Sequence, residues 1–146
     1  MLLGIDLGGT KIEGIVLESK EKPIEVIRHR VNTEEEQGYS QVISNIKSLV
    51  DYIERNINHK FSKLGIGTPG TIDPESGLLK NSNSQCLNGM PIQKDLSKVL
   101  NKSILIQNDA NCFALAETLL GSVKDQHPNA KNVFCLLYTS DAADEA

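Results

Sequence analysis

The sequence has no tryptophan and no low-complexity run, and no apolar stretch approaches the roughly 18 residues needed to cross a bilayer. Met1 leads straight into the first apolar run with no basic segment before it, so no secretory leader is read here. Basic residues alternate with acidic ones around a net charge of −4, and no basic stripe of the kind that reads a nucleic-acid backbone is present. Cys86, Cys112 and Cys135 are odd in number, widely spaced and without a C-x-x-C pair, which excludes a disulfide framework and a zinc knuckle; they read as reduced, mostly buried thiols. His29, His59 and His127 have no neighbours at metal-ligand spacing and read as surface residues. Within these residues there is no internal repeat. What remains is a protein of ordinary globular composition, 39% hydrophobic and 23% charged, expected to be cytoplasmic, with neither nucleic acid nor membrane as a partner.

Residues 2 to 7, 12 to 17 and 24 to 31 are three β-type runs separated by "GGT" and "SKEKP", the pattern of an antiparallel meander. From Tyr39 the apolar residues Val42, Ile43, Ile46, Leu49, Val50, Ile53 and Ile57 recur at spacings of three and four, predicting a helix of about five turns. "NTEEEQG" before it offers capping and acidic residues for its start. "KLGIGTPG" (63–70) reads as a buried strand, parallel to the first because a helix precedes it. "DPESG" is a turn and "NSNSQCLNG" a polar loop. A helix from Pro91 to about Leu100, a strand over "SILIQ", a helix over "NDANCFALAETLLG" and a last strand over "KNVFCLLY" complete a β-β-β-α-β-α-β-α-β order, one α/β domain.

Three stretches suggest chemistry. "GIDLGGTK" (Gly4–Lys11) matches neither G-x-G-x-x-G nor G-x-x-x-x-G-K-[ST], so the dinucleotide and Walker mechanisms are not supported. A Gly8-Gly9 hairpin could instead bring the amides of Gly8, Gly9 and Thr10, with the Thr10 hydroxyl, against phosphate, while Asp6 at the strand end suits Mg²⁺ held through water. A plain hairpin explains the same residues equally well. In "QNDAN", Asp109 falls where a strand gives way to a helix, its anion favoured by the helix N-terminus and able to take a proton from a hydroxyl; Asn108 offers a donor and an acceptor to a polyol. Simple helix capping is the competing reading. "TPGTIDP" and "KNSNS" place Gly70, Asn81 and Asn83 in turn and loop, where neutral amides suit a hydroxyl-rich ligand but also make ordinary Asx turns.

In order, "GIDLGGTK", "GIGTPG", "KNSNSQCLNGMPIQKDL" and "QNDANCFALAET" resemble the ROK family of bacterial sugar kinases, within the actin-like, hexokinase-like (ribonuclease H-like) ATPase superfamily. The resemblance runs from residue 2 to about 134. It implies that Gly4, Asp6, Gly8, Gly9, Thr10 and Lys11 contact ATP with Mg²⁺ at Asp6, that Gly70, Thr71, Asn83 and Asn108 contact the sugar, and that Asp109 is the catalytic base. "NSNSQCLNG" looks most like the fructokinase branch, with glucokinase and the N-acetylglucosamine and N-acetylmannosamine kinases sharing the framework. A full-length homodimer is also implied. A ROK-type sugar-responsive repressor is a second reading, disfavoured because Met1 lies one residue before strand 1; an actin-like nucleotide-binding module without sugar chemistry is a third, disfavoured by the amides at Asn83 and Asn108.

The pattern then breaks. A family member continues into a second glycine-rich phosphate loop, a second domain, Glu-Gly-His sugar contacts and a Cys/His zinc motif; here "YTSDAADEA" follows, with Thr139 alone reminiscent of the loop. Residues 1–137 therefore read as the N-terminal kinase domain and 138–146 as a non-native tail. Zinc is expected of the full-length family and not of these residues. With one wall of the cleft, the chain alone is expected to have little kinase activity.

Overall fold

A computed structural model describes residues 1–121, 125–127, 129, 130 and 133. The chain divides into two compact units, Met1–Asn108 and Asp109–Ala146. In the first, strands β1 (Leu2–Leu7), β2 (Lys11–Leu17) and β3 (Glu25–Asn32) form the expected meander. Helix α1 (Tyr39–Ile57) follows, then β4 (Lys63–Thr68), the two-residue strands β5 (Thr71–Ile72) and β6 (Leu79–Lys80), helix α2 (Ile92–Leu100) and β7 (Ser103–Asn108). The main sheet has the order β3-β2-β1-β4-β7, with β4 parallel to both β1 and β7. β5 and β6 pair separately around the Asp73–Gly77 turn, a small hairpin too short to leave a period in the sequence.

One face of the sheet carries the core. Leu3, Ile5 and Leu7 of β1, Ile12 and Val16 of β2, Leu64 and Ile66 of β4, and Ile104 and Ile106 of β7 are buried with the apolar stripe of α1 and with Ile92 and Leu96 of α2. Gly14 of β2 is what lets α1 come so close: a Cβ there would stand 2.5 Å from Ile53 Cδ1. Tyr39 Oη donates to Asp95 Oδ2 at 2.8 Å, tying α1 to α2. The opposite face is left open within this unit, and its Leu105 is 70% exposed.

The start of α1 differs from expectation. Its cap position is Gly38, with no side-chain cap bond and no acidic residue in the first turn. The acidic run instead forms a separate 3-10 turn, Glu35–Gln37, entered through Glu34 at φ 56°. Thr33 is turned away to hydrogen-bond the β1–β2 hairpin, so neither it nor the glutamates are available to the helix.

At the far end of α1, buried Glu54 receives Lys102 Nζ (2.7 Å), Lys60 Nζ (2.9 Å) and the Phe61 N–H (2.8 Å), while Lys102 also donates to the Phe61 carbonyl. Burial alone pushes the Glu54 carboxyl up, but these hydrogen bonds outweigh it and hold the group at about 2. This cluster closes the ends of α1 and α2 onto the starts of β4 and β7.

In the second unit, α3 (Asp109–Leu120) buries none of its residues, and Phe113, Leu115, Leu119 and Leu120 are exposed. Cys112 is exposed and Cys86 half-buried, so the reading of mostly buried thiols does not hold among the described residues. His29 and His59 are partly exposed, each leaning on an aromatic ring: Tyr52 at 3.9 Å between centroids and Phe61 at 4.8 Å. His127 is exposed. The strand expected over residues 131–138 falls, Val133 apart, outside the described residues, as do Cys135, Thr139 and the 138–146 tail. No helix among the described residues is long and apolar enough to cross a membrane.

Candidate functional site

Strands β1, β4 and β7 run parallel, so their carboxyl ends share one end of the sheet, and the β1–β2 hairpin lies there too. The hairpin is held from within and from the side. The Gly8 N–H donates to the Lys11 carbonyl (3.0 Å), the Thr33 N–H to the Thr10 carbonyl (2.9 Å), and Thr33 Oγ1 to the Gly8 carbonyl (2.7 Å). Those three bonds consume the hairpin's frame and leave its tip. Gly9 and Thr10 are exposed, and their amides make no hydrogen bond among the described residues. Of the three amides expected to meet phosphate, Gly8 is already engaged and two are available.

Gly4 lies inside β1, paired with Ile15 and Gly65, and Lys11 begins β2 with its side chain exposed. Asp6 is exposed near the end of β1, in register with Glu13 on one side and Gly67 on the other. One carboxylate with phosphate oxygens and water is enough for Mg²⁺, so the donor set fits that ion. Among the described residues no group of three or more His, Cys, Asp or Glu side chains comes together to hold a metal by itself.

The second wall is built around Gly70, at φ 89°. A Cβ there would meet the Lys80 carbonyl at 2.5 Å and the Ser82 nitrogen at 2.9 Å, so glycine is required both by conformation and by space. Asn108 Nδ2 donates to the Gly70 carbonyl at 2.9 Å, pinning the end of β7 to the turn after β4. Asn108 is thus the last residue of β7, and α3 begins at the next residue. Thr71 is exposed at the start of β5, opposite Lys80.

Asn83 is presented by a loop that satisfies itself. The Ser82 N–H donates to Asn88 Oδ1 and Asn88 Nδ2 donates to the Ser82 carbonyl, both at 2.9 Å, while the Ser84 N–H donates to Ser82 Oγ at 3.2 Å. Ser82 and Ser84 are buried, and the asparagines between and before them, Asn81 and Asn83, are exposed. The "NSNS" alternation is therefore inward serine and outward asparagine. Asn81 sits at φ 59°, which asparagine tolerates better than most residues.

Asp109, in the second unit, is the first residue of α3 and half-buried; its Oδ1 accepts the Ala110 N–H at 2.7 Å. It follows Asn108 directly in the chain.

Sequence reading missed Thr33, which braces the hairpin, and Asn88, which closes the Asn83 loop; neither carries a signal beyond being a polar residue in a polar stretch. Cavities are present in the first unit. One of about 560 Å³ is lined by Asp73, Lys80, Asn81, Ser82, Gln85 and Asn88. Another, about 660 Å³, lies at the opposite end of the sheet against Leu2, Phe61, Leu64 and Leu105. Asn81, read from the sequence as an amide suited to a hydroxyl-rich ligand, lines the first, whereas Gly70, Thr71, Asn83 and Asn108 line neither.

The ROK family profile matches residues 2–137. An N-acetyl-D-glucosamine kinase of Aliivibrio salmonicida is 39% identical over 126 residues, covering 86% of this chain and 40% of that protein. The crystal structure of a ROK hexokinase from Thermus thermophilus superposes with a TM-score of 0.69 at 29% identity, covering 84% of this chain and 38% of the other. A ROK family transcriptional regulator, a homologue of the E. coli MLC protein, superposes at a TM-score of 0.66 and 15% identity over 82% of this chain and 30% of its own, a likeness of fold alone. The chain thus spans about 40% of the length of the curated relatives it matches. With the expected hexokinase-like, actin-like ATPase fold and the four ordered motifs in place, the chain belongs to the ROK family.

Proposed function

We propose that this chain forms the nucleotide-phosphate and sugar-loop wall of an ATP-dependent sugar kinase whose substrate is an N-acetylhexosamine, N-acetyl-D-glucosamine first. The observation that carries the reading is the shared end of the sheet: two unengaged amides at Gly9 and Thr10 alongside the Gly70–Asn108 bond. The expectation of a fructokinase or glucokinase gives way here, because the relatives between 36 and 39% identical bear the name N-acetyl-D-glucosamine kinase. The repressor fold is also near in shape, but its likeness carries no activity, whereas the kinase names come with the higher identity.

In this reading the Gly9 and Thr10 amides cradle the terminal phosphates, whose charge needs donors already in place. Mg²⁺ at Asp6, when bound, neutralises phosphate charge and orients the transferred group. Thr71, Asn83 and Asn108 offer hydroxyl and amide groups to the sugar, and Gly70 gives it room. Asp109 accepts the proton of the attacking sugar hydroxyl as the γ-phosphorus–oxygen bond to ADP breaks and the new ester forms.

The test is phosphorylation by the whole protein of N-acetyl-D-glucosamine, N-acetyl-D-mannosamine, glucose and fructose with ATP and Mg²⁺. Preference for an N-acetylhexosamine is expected, with Asp109→Asn lowering kcat by about 10²–10⁴-fold while sugar binding persists. Turnover of fructose alone, or full activity in Asp109→Asn, would contradict the reading.

A further inference from the structure

Glu35, in the 3-10 turn between β3 and α1, belongs to no motif, yet its Oε2 is fully enclosed and has no hydrogen-bond partner among the described residues. Its neighbours are used: Thr33 braces the hairpin, and Glu34 Oε2 receives Gln41 and Asn45. Glu35 stands apart. The space where a side chain would begin at Gly9 is bounded by Ser84 Oγ at 3.5 Å and by Glu35 Oε2 at 3.7 Å. Burial first, and then the Glu35 charge, push up the Cys86 thiol two residues beyond Ser84, which sets the carboxylate beside the same loop. Glu35 therefore lies at the junction of the phosphate hairpin and the loop that carries Asn83.

A buried carboxylate oxygen without a donor is costly, and buried polar groups are so seldom left unpaired that one beside a candidate site calls for a functional account. Ser84 is 2% exposed, its N–H is committed to Ser82 Oγ, and its hydroxyl makes no hydrogen bond among the described residues. An acceptor without a donor and a hydroxyl without an acceptor face the same small gap over Gly9.

We propose that Glu35 is a positioning residue for the kinase reaction: when ligands draw the hairpin and the loop together, the Ser84 hydroxyl donates to Glu35 Oε2, and this bond couples nucleotide binding at Gly9–Thr10 to sugar binding at Asn83. The inference rests on the sugar-kinase reading. Because coupling between sites is reciprocal, sugar tightens nucleotide by the factor by which nucleotide tightens sugar.

The experiment is calorimetric titration of the whole protein with a non-hydrolysable ATP analogue and Mg²⁺, with and without saturating N-acetyl-D-glucosamine. In the wild type the sugar should tighten the nucleotide by about fivefold or more, within the usual range of such couplings. In Glu35→Ala and in Ser84→Ala the factor should fall below about twofold, and the double variant should lose no more than either single one, as expected when both substitutions remove one shared bond. Glu35→Gln, which keeps an acceptor oxygen, should recover part of the coupling. Ser84→Ala keeps the informative arm where Glu35→Ala does not fold. A full coupling factor in either alanine variant, additive losses in the double variant, or a wild type in which the two ligands bind independently would overturn the role of Glu35 while leaving the kinase reading intact. A wild type that binds neither ligand would overturn both.

Discussion

Two glutamates, one at each end of the same sheet, carry enclosed carboxylate oxygens to opposite effect. Glu54 meets two lysines and a backbone N–H, and every charge it brings inside is answered. Glu35, at the hairpin end, keeps an enclosed oxygen with no partner among the described residues. The first arrangement is what stability asks of a buried ion; the second is what a site tolerates when its complement arrives with a ligand. The same contrast extends outward. At the Glu54 end the backbone groups are tied off, as in the Ser103 N–H to Ser62 carbonyl bond at 2.9 Å, whereas at the other end the Gly9 and Thr10 amides are open.

The contrast can be broken most forcefully at Glu54. Glu54→Ala leaves Lys102 buried and uncompensated and should cost about 3–5 kcal/mol in urea denaturation; a loss below about 1 kcal/mol would show that the cluster is not what holds that end. Gly70→Ala comes next, because a Cβ collides with the Lys80 carbonyl and the backbone there is left-handed; a loss of about 2–3 kcal/mol is expected. Asn108→Ala removes the Nδ2 bond to the Gly70 carbonyl and should cost about 1 kcal/mol or more, measured by the same denaturation. Glu35→Gln should be the mildest, within about 1 kcal/mol of the parent, since the carboxylate oxygen it alters, Oε2, has no hydrogen-bond partner among the described residues to lose.

Acid probes the Glu54 end directly. The folded Glu54 carboxyl, at about 2, lies below its ordinary value near 4.5, so its contribution is complete above the ordinary value and is lost as pH falls through about 2. Stability should therefore fall between roughly pH 4.5 and 2, and Glu54→Gln should flatten that part of the profile. An unchanged slope in the variant would assign the acid sensitivity elsewhere.

Much of this was legible from the chain. The i, i+3, i+4 recurrence from Tyr39 to Ile57 is long and strongly amphipathic, and the helix occupies those residues end to end. The meander and the parallel β4 followed from short β-rich runs and an intervening helix. Legibility failed where a residue's partner is distant in sequence. Thr33 reads as a helix cap beside three glutamates, but its hydroxyl is claimed by Gly8, 25 positions earlier. Glu54 carries no signal of its own in the sequence, and only the fold brings Lys102 to it, 48 positions later. Asn108 and Asp109 are alike to a capping argument, yet the first closes a strand and the second opens a helix. Glycine spacing announced the hairpin, but which amides stay open depends on hydrogen bonds to Lys11 and Thr33 that no spacing encodes.

The direct test of the division between the two ends is an amide chemical-shift titration of the ¹⁵N-labelled chain with N-acetyl-D-glucosamine and with a non-hydrolysable ATP analogue and Mg²⁺. The expected result is that nucleotide shifts concentrate at Gly9 and Thr10 and sugar shifts at Gly70, Thr71, Asn83 and Asn108, with Lys60–Leu64 and Leu105 unmoved. Shifts centred instead on the roughly 660 Å³ cavity against Leu2, Phe61, Leu64 and Leu105 would contradict it.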